Sequence, residues 1–261
     1  DGPVVACAQD PGSLRIAEAS SAVLYGTADH VPGGGRTPGY RMEDLSLGTS
    51  GSRFTLRCDQ GGFPVELSLP GRHNALNAVG ALALVGELGL DLGAAATSLS
   101  AHTGLHRRFE HRGSAAGVEV VDDYAHLPTE IRAALAAGAE SGWKRVVVVF
   151  QPHRYSRTEA LWDSFGSAFG DADVLVLTDI YAAGEAPREG VTGHLVVDAV
   201  RSAGGPEPIW APTLDDASNQ LLALLRPGDL LMTVGAGDVR DVGDSVLAAL
   251  GGNGDTGGTA R

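Results

Sequence analysis

The sequence predicts an α/β protein whose later part is a doubly wound, mostly parallel sheet, and three observations carry that reading. After Phe109, short apolar runs alternate with helical stretches at the spacing of βαβ units. One run, Val146 to Phe150, is continuously apolar, the pattern of a strand covered on both faces. Polar clusters follow these runs directly, where an open parallel sheet collects its ligands. At 261 residues and 43% hydrophobic composition, the chain is long enough to bury one large core or two smaller ones.

Before Phe109 helical periodicity is poor at first. Val4 to Ala8, Ala22 to Tyr25, Phe54 to Cys58 and Val65 to Leu69 are candidate strands, set apart by punctuation such as Val31-Pro32-Gly33-Gly34-Gly35. From Asn74 to Leu90 the period changes, and Leu76, Val79, Ala83 and Leu90 fall on one stripe of an Ala-rich helix. A second short helix is expected over Leu92 to Ser100. A domain boundary is placed at Phe109, dividing 1–109 from 110–250. In the second region Val118 to Val121 reads as a strand, and Pro128 suits the first turn of the next helix. Val146 to Phe150 leads into a helix over Arg157 to Phe169, and Val174 to Leu177 repeats the strand before a helix over Thr192 to Ser202. Pro208 to Ala211 is a short strand, Asp216 to Leu225 a helix, and Leu230 to Val234 the last buried strand. The closing helix carries Val239, Val242, Val246 and Leu250 on one face. The Gly-rich, polar tail 251–261 is expected to be disordered. Because Val4 to Ala8 stands so close to the start, the chain reads as part of something longer.

Composition narrows the function. Lys+Arg is 19 against Asp+Glu 32, a net charge of −13, which argues against a nucleic-acid or membrane-surface partner needing a basic footprint. No run of about 18 apolar residues suggests a transmembrane helix, and no signal peptide is visible. Cys7 and Cys58 form no CxxC pair, so a reduced, cytoplasmic setting is expected.

Three polar clusters stand after consecutive strands: Asp122-Asp123-Tyr124-Ala125-His126, Gln151-Pro152-His153-Arg154-Tyr155-Ser156-Arg157, and Asp179-Ile180-Tyr181-Ala182-Ala183-Gly184-Glu185. Together they suggest a common crevice, although any one alone could be a solvated loop. Arg154 and Arg157 are three apart, so a helical first turn would set both guanidinium forks on one side, suited to a carboxylate or phosphate. Asn74 reads as a helix cap, leaving Asn77 on the surface of the first turn. Arg107-Arg108 clamps an anion or is simply solvated. Gly235-Ala236-Gly237-Asp238 lacks the third glycine of a dinucleotide fingerprint and reads as a tight βα turn. His102 and His106 lack a third metal ligand, and Ser156 lies in no nucleophile-elbow pattern.

A long ordered set of motifs resembles the Mur ligase family, in its alanine-adding branch. The set runs from Pro70-Gly71-Arg72-His73-Asn74-Ala75-Leu76-Asn77-Ala78 through Arg107-Arg108-Phe109-Glu110, Val121-Asp122-Asp123-Tyr124-Ala125-His126, Pro128-Thr129-Glu130 and Phe150-Gln151-Pro152-His153-Arg154-Tyr155-Ser156-Arg157-Thr158 to Gly184-Glu185-Ala186-Pro187 and Gly235-Ala236-Gly237. The resemblance implies that 1–109 is the later part of a central ATPase α/β domain and 110–250 a Rossmann-like ligase domain. It implies an ATP- and Mg2+-dependent ligase of peptidoglycan precursor synthesis, joining L-alanine to the carboxylate of UDP-N-acetylmuramate through an acyl phosphate. Asn74 and Asn77 would then lie at the adenine, Arg108 (or, as the second choice, Arg107) would approach the nucleotide from the domain junction, and Asp123 would receive the ribose hydroxyls. Tyr124, His126, His153, Arg154 and Arg157 would line the alanine and acyl-phosphate side, with His126, Arg154 and Arg157 as catalytic residues.

Two features depart from the pattern. The 261 residues contain no GxxxxGK(S/T), and the one lysine, Lys144, has no Gly-rich loop before it, so the chain by itself is expected to be an inactive fragment with most metal ligands elsewhere. Leu127 stands where the family often has a second histidine. A ligase for a recycled tripeptide is the nearest alternative activity. A non-catalytic module binding a nucleotide or amino acid is the alternative from another class.

Overall fold

The computed structural model describes residues 2–30, 36–49, 51–101 and 104–252. The chain divides into two compact units, Asp1–Gly104 and Leu105–Arg261, so residues 105–109 pack with the second. Val31 to Gly35, His102 and the tail from 253 onward lie outside the described residues.

The first unit builds a five-stranded sheet in the order β1 (Val5–Cys7), β2 (Val23–Thr27), β3 (Tyr40–Gly48), β4 (Gly51–Cys58) and β5 (Gly61–Leu67). The pairs β1–β2 and β2–β3 are parallel, whereas β3–β4 and β4–β5 are antiparallel. Along β4 alternate residues Ser52, Phe54, Leu56 and Cys58 are buried, the period of a strand with one covered face. Helix α1 (Pro11–Glu18) follows β1 and was not foreseen. Its signal was local: the Asp10 carboxylate accepts the Ser13 N–H at 2.6 Å, and Pro11 occupies the first turn.

Helix α2 (Arg72–Glu87) covers this sheet with Ala75, Ala78, Val79, Leu82, Ala83 and Gly86. The expected stripe is therefore corrected: Val79 and Ala83 belong to it, Leu76 flanks it, and Leu90 is exposed beyond the helix end. Small residues set the face because rings press against it. A Cβ on Gly80 would stand 2.7 Å from the Tyr25 ring. Asn74 is not the cap either. The N-cap is Gly71, at φ 95°, and Asn74 Nδ2 instead donates to the Pro70 carbonyl at 2.8 Å. Helix α3 (Leu92–Ser100) opens on the Asp91 carboxylate, which accepts the Ala94 N–H.

The second unit is a six-stranded sheet made of β6 (Glu110–Ala115), β7 (Val118–Asp123), β8 (Arg145–Phe150), β9 (Val174–Leu177), β10 (Ile209–Trp210) and β11 (Asp229–Val234). Their order is β10-β9-β8-β11-β7-β6, all parallel except β6, which runs antiparallel to β7 at the edge. Between the strands run α4 (Pro128–Glu140), α5 (Tyr155–Phe165), α6 (His194–Ser202) and α7 (Leu214–Leu224), and α8 (Arg240–Gly252) closes the unit. Alternation within the strands divides two cores. Val146, Val148 and Phe150 face Ile131, Leu135, Phe165, Phe169 and Val196, the residues of α4, α5, α6 and the turn after α5. Val147 and Val149 face Ala217, Leu221, Val242 and Val246, of α7 and α8. From β7 to β10 the chain steps one way with helices on the first face. It then returns to β11 by way of α7 on the other, as right-handed crossovers require. No described helix is long and apolar enough to cross a membrane.

Candidate functional site

The register of the second sheet levels its strand ends. Asp123 pairs with Val234, Val234 with Phe150, Phe150 with Leu177 and Leu177 with Trp210. The polar segments that follow β7, β11, β8 and β9 therefore emerge from one edge, where the direction of strand addition reverses.

Three of those segments meet in a run of rings. Tyr124 and His126 stand edge to face at 5.4 Å between centroids, His126 and His153 are 6.1 Å apart, and His153 stacks on Tyr181 at 5.6 Å and 16°. Behind β8 and β9 the backbone continues to pair, with Tyr181 N–H donating to the Pro152 carbonyl and Arg154 N–H to the Tyr181 carbonyl, each at 2.8 Å. Arg157 reaches back from α5 and donates to His153 Nδ1 at 2.9 Å and to its carbonyl at 3.1 Å. Burial, then the neighbouring Arg157, His126 and Arg154, pushes the His153 imidazole down to about 4, so it is neutral at pH 7. His126 Nδ1 lies 3.0 Å from the Tyr124 carbonyl and 3.4 Å from the Glu130 carboxylate. The same Glu130 oxygen accepts the N–H groups of His126 and Leu127, so the start of α4 is held without a polar side chain at Leu127.

Arg154 departs from expectation. It precedes α5 as the N-cap with φ 72°, so it does not share a helical turn with Arg157, and its side chain is exposed. A left-handed arginine is unusual and is retained here by the paired backbone of Tyr181. Glu185 fastens the same helix start by accepting the Ser156 N–H at 2.9 Å and its hydroxyl at 2.5 Å, and these bonds hold its carboxyl below the usual range.

On the β7 side Asp123 is buried. Its Oδ2 accepts the Phe109 N–H at 2.9 Å and Oδ1 the Ala125 N–H at 2.8 Å. Burial raises its carboxyl above the ordinary value despite these bonds and the nearby charge of Arg108. Two of the four lone-pair directions remain for further donors. The two arginines before it have separate roles. Arg107 is buried, at φ 58°, with Nε on Asp122 at 2.8 Å, Nη2 on the Gly235 carbonyl at 2.7 Å, and its guanidinium 4.9 Å from the Tyr124 ring centroid. Arg108 is exposed. The tight turn Gly235-Ala236-Gly237 is thus tied to Arg107, and a Cβ on Gly237 would lie 2.7 Å from the Tyr181 ring. Gln151 Nε2 donates to Asp238 at 2.9 Å while its buried Oε1 has no partner.

In the first unit Asn77 is exposed in the second turn of α2, one turn beyond the half-buried Asn74. Among the described residues no group of three His, Cys, Asp or Glu side chains is placed to hold a metal. Tyr181, Glu185 and Arg107 have structural roles here that the sequence pattern does not signal. Their roles depend on backbone carbonyls and on burial, for which side-chain pattern alone carries no signal.

Residues 107–237 match the family model described as Mur ligase, glutamate ligase domain. The UDP-N-acetylmuramate–L-alanine ligase of Kineococcus radiotolerans is 46% identical over 252 residues, covering 95% of this chain and 52% of that protein. The protein of the same name from Halorhodospira halophila is 43% identical over 271 residues, covering 99% and 53%. The crystal structure of UDP-N-acetylmuramate-alanine ligase from Thermotoga maritima superimposes with a TM-score of 0.71 at 26% identity, covering 95% of this chain and 51% of that one. The chain thus spans about half the length of these relatives.

Proposed function

The chain belongs to the Mur ligase family, and from that premise we propose that it supplies the amino-acid side and the nucleoside side of an ATP-dependent ligase joining L-alanine to the carboxylate of UDP-N-acetylmuramate. The observation that carries this reading is the run Tyr124–His126–His153–Arg157 at the levelled strand ends, beside a buried Asp123 with acceptor capacity to spare. Identity of 46% to a protein of that name supports the choice of amino acid.

A carboxylate resists an amine because its charge repels the incoming lone pair. ATP supplies the remedy by phosphorylating that carboxylate, which turns one oxygen into a good leaving group. What these residues add is position and charge. Arg157, already held against His153, and Arg154 receive the amino-acid carboxylate or the acyl phosphate; Tyr124, His126 and His153 line the same side. Within the second unit Asp123 accepts the ribose hydroxyls on its free lone pairs, with Arg108 beside it; for the first unit taken by itself, Asn74 and Asn77 are the proposed adenine contacts. The sequence holds no GxxxxGK(S/T), so these residues do not grip the β- and γ-phosphates, and no cluster among the described residues holds Mg2+. By itself the chain is accordingly proposed to be inactive. The setting is taken to be the cytoplasm, where ATP is available.

The test is a chimera joining this chain, at the aligned position, to the remaining half of the Kineococcus radiotolerans ligase, assayed for phosphate release with Mg-ATP and UDP-N-acetylmuramate. Release that depends on L-alanine supports the reading. Release driven by a tripeptide instead would assign the recycling activity, and a folded chimera that binds nucleotide or alanine without release would leave a non-catalytic module.

A further inference from the structure

Two imidazoles in the ring cluster are held by partners whose chemistry fixes their protons. His126 Nδ1 faces the Tyr124 carbonyl at 3.0 Å and the Glu130 carboxylate at 3.4 Å, and neither oxygen has a proton to give. Nδ1 must therefore carry the hydrogen, which leaves Nε2 of the neutral ring with a lone pair. His153 is held the opposite way. Its Nδ1 lies 2.9 Å from Arg157 Nη1, and a guanidinium only donates, so Nδ1 carries the lone pair and Nε2 the hydrogen. Tyr181 stacks on this second ring and fixes its plane. The two rings are 6.1 Å apart, close enough to serve one small substrate.

We infer that His126 and His153 are locked in opposite tautomers and divide the work at the amino-acid site, His126 accepting a proton at Nε2 and His153 donating a hydrogen bond from Nε2–H to an anionic oxygen. This rests on the ligase reading for its substrate, though not for the tautomers. The amino acid arrives as an ammonium ion, which has no lone pair to attack with. One of its N–H bonds breaks, the electron pair stays on the substrate nitrogen, and the proton forms a new N–H bond at His126 Nε2. The positive charge moves with it to the imidazolium, where the Tyr124 carbonyl and the Glu130 carboxylate face Nδ1–H. His153 remains neutral, with Arg157, Arg154 and His126 around it and Glu185 beyond. Its hydrogen bond goes to a substrate carboxylate or phosphoryl oxygen. Arg157 and Tyr181 are positioning residues for that ring.

The experiment is long-range 1H–15N correlation spectroscopy of the imidazoles in the 261-residue chain, assigned with His126→Gln and His153→Gln. The expected spectra show one ring protonated at Nδ1 and the other at Nε2. The same tautomer in both, or an averaged pattern, overturns the inference. Titration with L-alanine and, separately, inorganic phosphate then identifies which anion shifts the His153 Nε2 resonance, and a shift with neither rejects its role as donor. In the chimera, His126→Gln should lower kcat about 100-fold with the alanine KM little changed, the mark of lost proton transfer. A change confined to KM contradicts it. His153→Asn, which places an amide near Nδ1, should fall at least about ten-fold further in kcat/KM than His153→Gln, which places one near Nε2; the reverse order also contradicts it. A chimera that makes no amide sinks the ligase reading, while the spectra still decide the tautomers.

Discussion

The two halves of the strand-end edge are built to opposite rules. On the β7–β11 half, polar groups are buried and matched: Arg107 serves Asp122 and Gly235, Asp122 also accepts the Thr233 hydroxyl at 2.7 Å, and Asp123 accepts two backbone N–H groups. On the β8–β9 half, Arg154 and Tyr181 are exposed and His153 is half-buried, held by one arginine and one ring. The first half is a frame in which an unpaired group would be costly. The second keeps charge and imidazole within reach of a ligand. The proposed site, with a nucleoside to position and a small charged amino acid to handle, would draw on both.

The contrast can be broken by attacking the frame. Arg107→Ala leaves Asp122 buried beside Thr233 without its cation, and breaking such a pair costs about 3–5 kcal/mol. For a unit of this size that corresponds to a drop in melting temperature of roughly 10 °C. A loss under about 1 kcal/mol would mean the frame is not what holds this edge. A second version removes the arginine with its segment: a piece spanning 105–252 should fold, and one spanning 110–252 should melt at least as far below it as Arg107→Ala does below the parent, because it lacks both Arg107 and the Phe109 N–H that meets Asp123. Equal melting of the two pieces would show that 105–109 contribute nothing.

The open half is better probed by pH. His153 is neutral in the fold, with its acidity shifted from about 6.5 to about 4. The unfolded chain then binds more protons than the folded one between those values, so stability attributable to this ring is present above about 6.5 and is lost as pH falls through about 4. Asp123, with a raised carboxyl, acts in the opposite sense, since it favours the fold when protonated. Comparing the chain with His153→Phe isolates the histidine: the variant should lose less stability from pH 7 to pH 4. Parallel curves would contradict a half-buried neutral imidazole. The smallest effect is expected at Glu185→Gln, which keeps an acceptor for Ser156 and should leave the melting temperature unchanged within error.

Sequence reading reached the apolar scaffold and lost sight of structure where polarity or backbone carries it. Val174 to Leu177 was bounded as found, and Val146 to Phe150 was short by one residue, because a strand buried on both faces writes an unbroken apolar run. Strands β3 and β6 were missed. β3 carries Arg41, Glu43, Asp44 and Ser46 and a register shift between Glu43 and Ser46, and β6 shifts between His111 and Gly113 as a charged edge strand. A bulge resets the two-residue period, and an edge needs few apolar side chains. At the candidate site, sequence could place the polar segments after the strands. It could not foretell that Arg154 is left-handed and outside α5, that Asn74 bonds backward to Pro70, or that Arg107 is the buried member of its pair. Those outcomes turn on backbone geometry and on which of two adjacent identical side chains faces inward.

The most direct test of the division between the two halves is a pair of substitutions in the chimera, with KM measured for both substrates. Asp123→Ala should raise the KM for ATP about ten-fold and leave that for L-alanine near its starting value, whereas Arg157→Ala should do the converse. If each substitution weakens both substrates alike, the edge works as one undivided site, and the assignment of a nucleoside half and an amino-acid half is wrong.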